Sequence, residues 1–150
     1  DQFAAVIGHE IAHVTQDHMV ERINRAQVTG GAISVTSILV GDQIGLGTAD
    51  TQALLESTAQ IVMLLPFGRK QESEADLVGL DLMASAGFDP RASIQLWKNM
   101  ANAAEDAPPE FLSTHPSSDT RIDDLNSYMP QALNYYNRAI ASGKQPHCQK

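Results

Sequence analysis

Two histidines and a glutamate near the start of the chain have the residue types and the spacing of a metal site. His9, Glu10 and His13 form the pattern His-Glu-x-x-His in the segment HEIAH. At about 100° per residue in an α-helix, His9 and His13 lie one turn apart on the same face, so both imidazoles can reach one ion. Glu10 lies about 100° around the helix from His9, where it can contact a water on that ion. The pattern predicts a zinc site with Glu10 as the general base.

Apolar residues around this pattern favour a metal over a chance match. Phe3, Ile7, Ile11 and Val14 recur at helical spacing and predict a helix from residue 1 to about residue 25. The first fourteen residues carry apolar groups nearly all round this helix, which predicts that they are buried. Two histidines and a carboxylate buried without a partner would cost several kcal/mol. A metal ion would supply that partner.

The residues that directly follow the pattern do not supply a third ligand. The longer zinc motif HExxHxxGxxH requires glycine and histidine where this chain has Gln16 and Met19. His18 lies about 140° from His13 on a continuous helix, so we expect it to point into solvent. The third ligand must come from another element.

A second pair of residues has the same spacing. Glu72 and Asp76 are four residues apart on a second predicted helix and share one of its faces. This predicts Glu72 as the third zinc ligand and Asp76 as the acceptor of a hydrogen bond from the free nitrogen of a ligand histidine. The alternative is a helix start enriched in acidic residues because of the helix dipole.

The elements that must position these residues are predicted to be almost all helical, because no alternating strand pattern occurs. Gly30-Gly31 is expected to end the first helix, and residues 26–47, rich in Gly, Ser and Thr, are expected to form a mobile connection. Further helices are predicted, with proline or glycine at their ends, over about 48–65 (stopped by Pro66), 69–86 (closed by Gly87), 90–104 (with Asp89 as the cap and Pro90 at the first helical position), 119–128 and 131–142 (separated by Pro130).

Composition excludes several other classes of protein. The 150 residues carry 10 Lys+Arg and 18 Asp+Glu, a net charge of −8, which argues against a nucleic-acid partner. Cys148 is the single cysteine, so neither an intrachain disulfide nor a cysteine zinc cage is expected. No apolar run is long enough for a transmembrane segment. Length predicts one domain over residues 1–150.

Three segments resemble metallopeptidase family 48, the family of HtpX, CAAX prenyl protease and Oma-type enzymes. They are HEIAH at 9–13, GRKQESEADLVGLDLMASAGFDP at 68–90 and STHPSSDTR at 113–121. The chain looks closest to the bacterial periplasmic BepA-like and lipoprotein branch. The resemblance implies a zincin-like (gluzincin) catalytic domain. It also implies that the upstream β elements of the family are missing from this chain, which we expect to be N-terminally incomplete.

The resemblance also implies roles for individual residues. His9, His13 and Glu72 would hold zinc, Glu10 would act as general base and acid, and Asp76 would orient a ligand histidine. The third segment supplies two further residues. The resemblance implies that His115, in a predicted active-site loop over 108–118, is a further metal ligand. It also implies that Arg121 is a catalytic residue that stabilises the oxyanion or holds that loop. The alternatives are a loop histidine without ligation and a surface ion pair.

Two functions of different classes remain open at this point. The first is a zinc endopeptidase of polypeptide substrates in quality control of the bacterial envelope, in the periplasm or associated with the outer membrane, with envelope or outer-membrane assembly factors as partners. The second is a self-inhibited or chaperone-like peptide-binding module whose zinc is capped by His115. The substrate class and the compartment come from the resemblance alone.

Overall fold

The computed structural model describes residues 1–41, 43–102 and 119–146. Within these ranges the chain is helical and contains no β-strand, which confirms the mainly α prediction. The elements, in chain order, are α1 (Gln2–Thr15), α2 (His18–Val40), α3 (Gly47–Ala59), a π-helix (Gln60–Leu64), α4 (Leu65–Ser85), α5 (Arg91–Asn102) and α6 (Asp119–Ala141). In the part of the chain described, no helix is long and apolar enough to cross a membrane.

Contacts between residues divide the chain into two compact units. The outer unit consists of Asp1–Gln16 and Glu72–Lys150, and the inserted unit consists of Asp17–Gln71. The inserted unit contains α2, α3 and the π-helix, while α1, α5 and α6 belong to the outer unit. The single domain over residues 1–150 stays a prediction.

In the outer unit, α1 and α4 approach each other at two glycines. A Cβ atom added to Gly8 would lie 2.6 Å from the carbonyl oxygen of Gly79, and one added to Gly79 would lie 2.7 Å from the backbone nitrogen of His9. No real side chain tolerates such distances, so the absence of Cβ atoms allows the two backbones to touch. This contact brings the histidines of α1 close to the acidic residues of α4.

The core of the outer unit lies between α1, α4, α5 and α6. It is built from buried apolar residues of all four helices, namely Ala5, Leu80, Met83, Ala84, Trp97, Leu125, Met129 and Ala132. Gly87, with φ of 93°, ends α4 in the left-handed region that glycine adopts readily. Asp89 then accepts a hydrogen bond from the backbone nitrogen of Arg91 and so caps the start of α5. The predicted end of α4 at Gly87 and the predicted cap Asp89 are confirmed, while α5 begins at Arg91, one residue after the predicted Pro90.

The prediction that α1 is buried all round is wrong for the described residues. Only Ala5, Gly8, His9 and Ala12 are buried on this helix. The apolar residues whose spacing predicted this helix are exposed instead: Phe3 is 74%, Ile7 43%, Ile11 45% and Val14 76% exposed. The described helices that pack on α1 cover its Gly8 and His9 side and leave the opposite side open.

The first helix does not run to residue 25, nor does it end at Gly30-Gly31. The helix α1 ends at Thr15, Asp17 takes a left-handed φ of 54°, and α2 then continues through both glycines to Val40. Each glycine in a helix interior costs about 1 kcal/mol relative to alanine, and the packing of α2 along α3 offsets that cost. Residues 26–40 are therefore helical rather than irregular, whereas the mobility of 26–47 stays a prediction.

Two prolines fall inside helical structure where helix ends were predicted. Pro66 is the second residue of α4 and directly follows the π-helix, so the helical backbone runs from Gln60–Leu64 on through Pro66 instead of stopping there. Pro130 lies inside α6, which is one continuous helix. Pro130 is exposed, so the carbonyl of Asn126 that loses its donor can meet water. The predicted loop over 108–118 and Cys148 lie outside the described residues.

Candidate metal centre

Helix α1 presents two imidazole rings on one face, as the spacing predicts. His9 is buried at 6% exposed and His13 is half-buried. Their Nε2 atoms are 3.0 Å apart, and the ring planes cross at 77°. The two nitrogens therefore converge on one point.

Helix α4 contributes a carboxylate to the same point. Glu72 Oε2 lies 3.4 Å from His9 Nε2, and Glu72 Oε1 lies 3.3 Å from His13 Nε2. Among the described residues, His9, His13 and Glu72 form the one group of three or more His, Cys, Asp or Glu side chains placed to hold a metal, with ligand atoms within 4.8 Å of one another. The structure thus brings the three predicted ligands together.

The distances between the nitrogens of the two histidines and the oxygens of Glu72 fit a zinc ion. Four ligands at 2.0 to 2.1 Å in a tetrahedron are separated from one another by about 3.3 to 3.4 Å. His9 Nε2 and His13 Nε2 are 3.0 Å apart, and the two oxygens of Glu72 lie 3.4 Å from the first nitrogen and 3.3 Å from the second. Two histidines and one carboxylate with an open fourth position are a donor set typical of catalytic zinc. The residues present therefore fit the ion.

Asp76 lies one turn after Glu72 and contacts the other ring nitrogen of His9. His9 Nδ1 and Asp76 Oδ1 are 2.9 Å apart, and both side chains are buried. When Nδ1 donates to this carboxylate, the lone pair of the neutral ring is on Nε2, which faces the other two ligands. The sequence left open which histidine Asp76 orients, and the structure indicates His9.

The surroundings of His9 favour the protonated imidazole when no metal is bound. Burial by itself lowers the pKa of His9, but the hydrogen bonds to Asp76 and Glu72 outweigh burial and raise that pKa to about 9. A proton then sits on the ring at neutral pH, and a metal must displace it, since only neutral histidine coordinates.

Arg121 of α6 lies behind the two carboxylates. It is 2% exposed. Its Nε and Nη2 donate to Asp76 Oδ2 and Oδ1 at 2.6 and 2.8 Å, and its Nη1 lies 3.3 Å from Glu72 Oε2. The alternative of a surface ion pair is therefore wrong. The guanidinium contacts residues that orient the metal ligands, and its role on the oxyanion or on the loop stays a prediction.

The other predicted residues have different outcomes. Glu10 is exposed on α1, directly after His9, and is thus open to water and substrate. His18, expected in solvent, is buried at 2% exposed. The expectation assumed one continuous helix, whereas α1 ends at Thr15 and Asp17 has a left-handed φ of 54°, so the helical spacing counted from His13 does not extend to His18. His115 lies outside the described residues, so its ligation stays a prediction.

Trp97 is a part of this centre that no sequence motif indicated. The side chain is buried on α5, and Arg121 Cζ lies 3.8 Å from the centre of its ring. The signal in the sequence was weak: the chain has one tryptophan, which falls on the apolar side of a predicted helix. Only the packing of α5 against α6 shows what it contacts.

Comparison with known proteins supports this assignment of the motifs. The model of Peptidase family M48 matches residues 1–129. The mitochondrial metalloendopeptidase OMA1 of Schizosaccharomyces pombe is 39% identical over 135 residues, which cover 88% of this chain and 37% of that protein. The human mitochondrial metalloendopeptidase OMA1 is 37% identical over 143 residues, covering 88% and 26%.

A bacterial relative matches as well. The beta-barrel assembly-enhancing protease of Escherichia coli is 32% identical over 134 residues, which cover 84% of this chain and 27% of that protein. This chain therefore spans between about a quarter and two fifths of the length of these relatives. No solved structure matches it significantly.

Proposed function

This chain belongs to peptidase family M48, as the motifs predicted, and we propose that it carries the catalytic centre of a zinc-dependent endopeptidase. The observation that supports this function is the convergence of His9 Nε2, His13 Nε2 and the Glu72 carboxylate, whose two oxygens lie 3.4 and 3.3 Å from the respective nitrogens. These distances fit tetrahedral zinc, and the three protein ligands leave one position open. The names of the relatives, metalloendopeptidase and protease, fit the same chemistry.

The residues of this chain divide the work of peptide hydrolysis. When bound, zinc supplies a Lewis acid that activates water and polarises the scissile carbonyl. Glu10 accepts the proton of the attacking water and delivers it to the leaving amine, as a general base and then a general acid. Its exposed position one residue after His9 lets it reach water and substrate.

Asp76 and Arg121 set the charge and orientation behind the ligands. Asp76 fixes the His9 ring through Nδ1. Arg121 contacts both Asp76 and Glu72, so one guanidinium offsets part of the negative charge of two neighbouring buried carboxylates. The Glu72 carboxylate is thereby held toward the histidines.

The substrates and the compartment are proposed from the relatives. We propose polypeptide substrates and a role in protein quality control of the bacterial envelope, in the periplasm or at the outer membrane, with outer-membrane assembly factors as partners. The similarity to a beta-barrel assembly-enhancing protease supports this compartment. The higher identity to mitochondrial enzymes supports the activity but points to a different compartment. Fractionation of the source cells decides between the two.

Removal of one ligand tests the proposed centre. We expect the purified protein to bind one zinc per chain after dialysis against a weak chelator, and Glu72→Ala to lose it, because two histidines alone hold zinc weakly. Glu74→Ala is the matched control, since Glu74 is an exposed glutamate on the same helix two residues away. Mass spectrometry of metal content and cleavage of an unfolded protein substrate are measured for all three proteins.

The result that contradicts the proposal is equally clear. Equal zinc content in wild type, Glu72→Ala and Glu74→Ala would place the metal elsewhere. A wild type that binds no zinc, or that binds zinc and cleaves no unfolded substrate, would contradict the endopeptidase.

A further inference from the structure

Trp97 contacts Arg121 and His9 of the candidate metal centre, but it is not itself a candidate ligand. Its indole ring covers the guanidinium of Arg121, whose Cζ is 3.8 Å from the ring centre. The same ring meets the imidazole of His9 edge-on, with ring centres 6.3 Å and planes 71° apart. At 5% exposed, Trp97 excludes water from both contacts.

The contacts of Arg121 show why a ring on one face matters. A guanidinium group donates hydrogen bonds only within its own plane, and its two faces are left for water or for aromatic rings. The edges of Arg121 are occupied by Asp76, through Nε and Nη2, and by Glu72, next to Nη1. The indole lies on the face. If the guanidinium tilted, it would lose both its stacking contact with the indole and its hydrogen bonds to the carboxylates.

We propose that Trp97 is a positioning residue of the metal centre. By stacking on Arg121 it holds the guanidinium in the plane that joins Asp76 to Glu72. Glu72 is thereby fixed as a ligand, and the His9 ring is fixed through Asp76. The inference rests on the proposed zinc-dependent function, because it concerns the same ligands.

A purely structural role for Trp97 must be separated from this one, since Trp97 also belongs to the apolar core. Trp97→Phe keeps an aromatic face for Arg121. Trp97→Leu keeps an apolar side chain but has no ring. Met129→Ala is the matched control, because Met129 lies in the same core and on the same helix as Arg121, two turns away.

The experiment measures metal binding by the full-length protein in these three variants and the wild type. Zinc affinity is obtained by competition with a chromophoric chelator, and ligand geometry from the visible spectrum of the cobalt-substituted protein. We expect Trp97→Leu to weaken zinc binding roughly 10-fold, as loss of an outer-shell contact does, and to change the cobalt spectrum. Trp97→Phe should restore both, and Met129→Ala should lower the melting temperature without changing either.

Two results would overturn the positioning role and leave the zinc site standing. One is a Trp97→Leu protein with the affinity and the spectrum of wild type. The other is a change in Met129→Ala as large as in Trp97→Leu, which would make the effect one of general stability. A wild type that binds neither metal would instead refute the zinc-dependent function, so the two failures are distinguishable.

Discussion

The described residues of the outer and the inserted unit differ in what they bury. The outer unit encloses large apolar side chains such as Leu80, Trp97 and Leu125, together with the charged groups of the candidate metal centre. Among the described residues of the inserted unit, the buried side chains are polar: His18, Ser37, Thr51 and Gln71. Many of its apolar residues are exposed, with Val35 57%, Ile38 66%, Leu54 57% and Ile61 65% exposed. Both units are helical, yet in the part of the chain that the structure describes, the buried apolar core lies in the outer unit.

The buried charged side chains of the candidate metal centre lie in the unit that has the apolar core. Arg121, Glu72 and Asp76 are each at most 5% exposed, and charges removed from water remain stable only when they are paired in fixed geometry. The apolar core of the outer unit supplies rigid surroundings for that pairing. The inserted unit has few buried apolar contacts, which is typical of regions that open locally at low cost in free energy. We therefore expect chemistry in one unit and easier opening in the other.

The largest expected effect tests whether the chemistry belongs to the outer unit alone. Glu10→Gln should reduce kcat for an unfolded protein substrate at least about 100-fold, because the amide cannot accept the proton, while zinc content stays unchanged. Glu56→Gln, an exposed glutamate of α3 in the inserted unit, should keep the activity of wild type. A Glu10→Gln protein that cleaves at the rate of wild type would remove Glu10 from the mechanism.

The next effect tests the close packing of the outer unit. Gly79→Ala would place a Cβ atom 2.7 Å from the backbone nitrogen of His9, so α1 and α4 must move apart. We expect a loss of about 1 to 3 kcal/mol in the free energy of unfolding, as for other overpacked sites, together with weaker zinc binding. Urea denaturation measures the first and chelator competition the second. Unchanged values in both would show that the helices can separate without cost.

The same substitution in the inserted unit should have the opposite sign. A Cβ atom at Gly30 would meet nothing within 4 Å, and Gly30 lies inside α2. Gly30→Ala should therefore stabilise α2 by about 0.5 to 1 kcal/mol through helix propensity. Slower amide hydrogen exchange in α2 is the measurement. Faster exchange would mean that this helix needs glycine for a reason other than backbone conformation.

The smallest effect concerns a hydrogen bond of the outer unit between two residues that are not part of the proposed metal centre. The hydroxyl of Tyr128 donates to Asp81 Oδ2 at 2.8 Å. Burial, followed by this hydrogen bond, raises the pKa of Tyr128 to about 12. Because the folded pKa lies above the unfolded value of about 10, its contribution to stability is complete below pH 10 and is lost as the pH rises through 12. In an alkaline titration of tyrosine absorbance, Tyr128→Phe should remove a phase near pH 12, and an unchanged curve would contradict the assignment.

Short-range spacing explains which parts of the site could be predicted. The pairs His9 with His13 and Glu72 with Asp76 each lie one turn apart on a helix, and a helix fixes such neighbours by its own geometry. The sequence therefore predicts both pairs. The stacking of Trp97 on Arg121 depends on how α5 packs against α6, which no local pattern encodes.

The errors in the fold have the same origin. Gly30-Gly31 and Pro130 are local signals for helix ends, yet α2 and α6 continue through them, since propensity is a weak constraint on the ends of a helix. The apolar pattern of α1 indicated burial all round, but a pattern states which residues favour an apolar partner and does not show that the described helices provide one. His18 was misplaced because one left-handed residue, Asp17, changes the phase of every residue after it.

The contact between Gly8 and Gly79 has a consequence for how the length of this chain can vary. It closes a loop that contains the whole inserted unit, Asp17–Gln71. The entropy cost of loop closure grows only with the logarithm of length, so a doubling costs about 0.6 kcal/mol. Residues added or deleted between α2 and α3 would therefore change the stability of the α1–α4 contact little. The inserted unit is therefore a part of this protein in which evolution or engineering can exchange segments while the proposed zinc ligands keep their places.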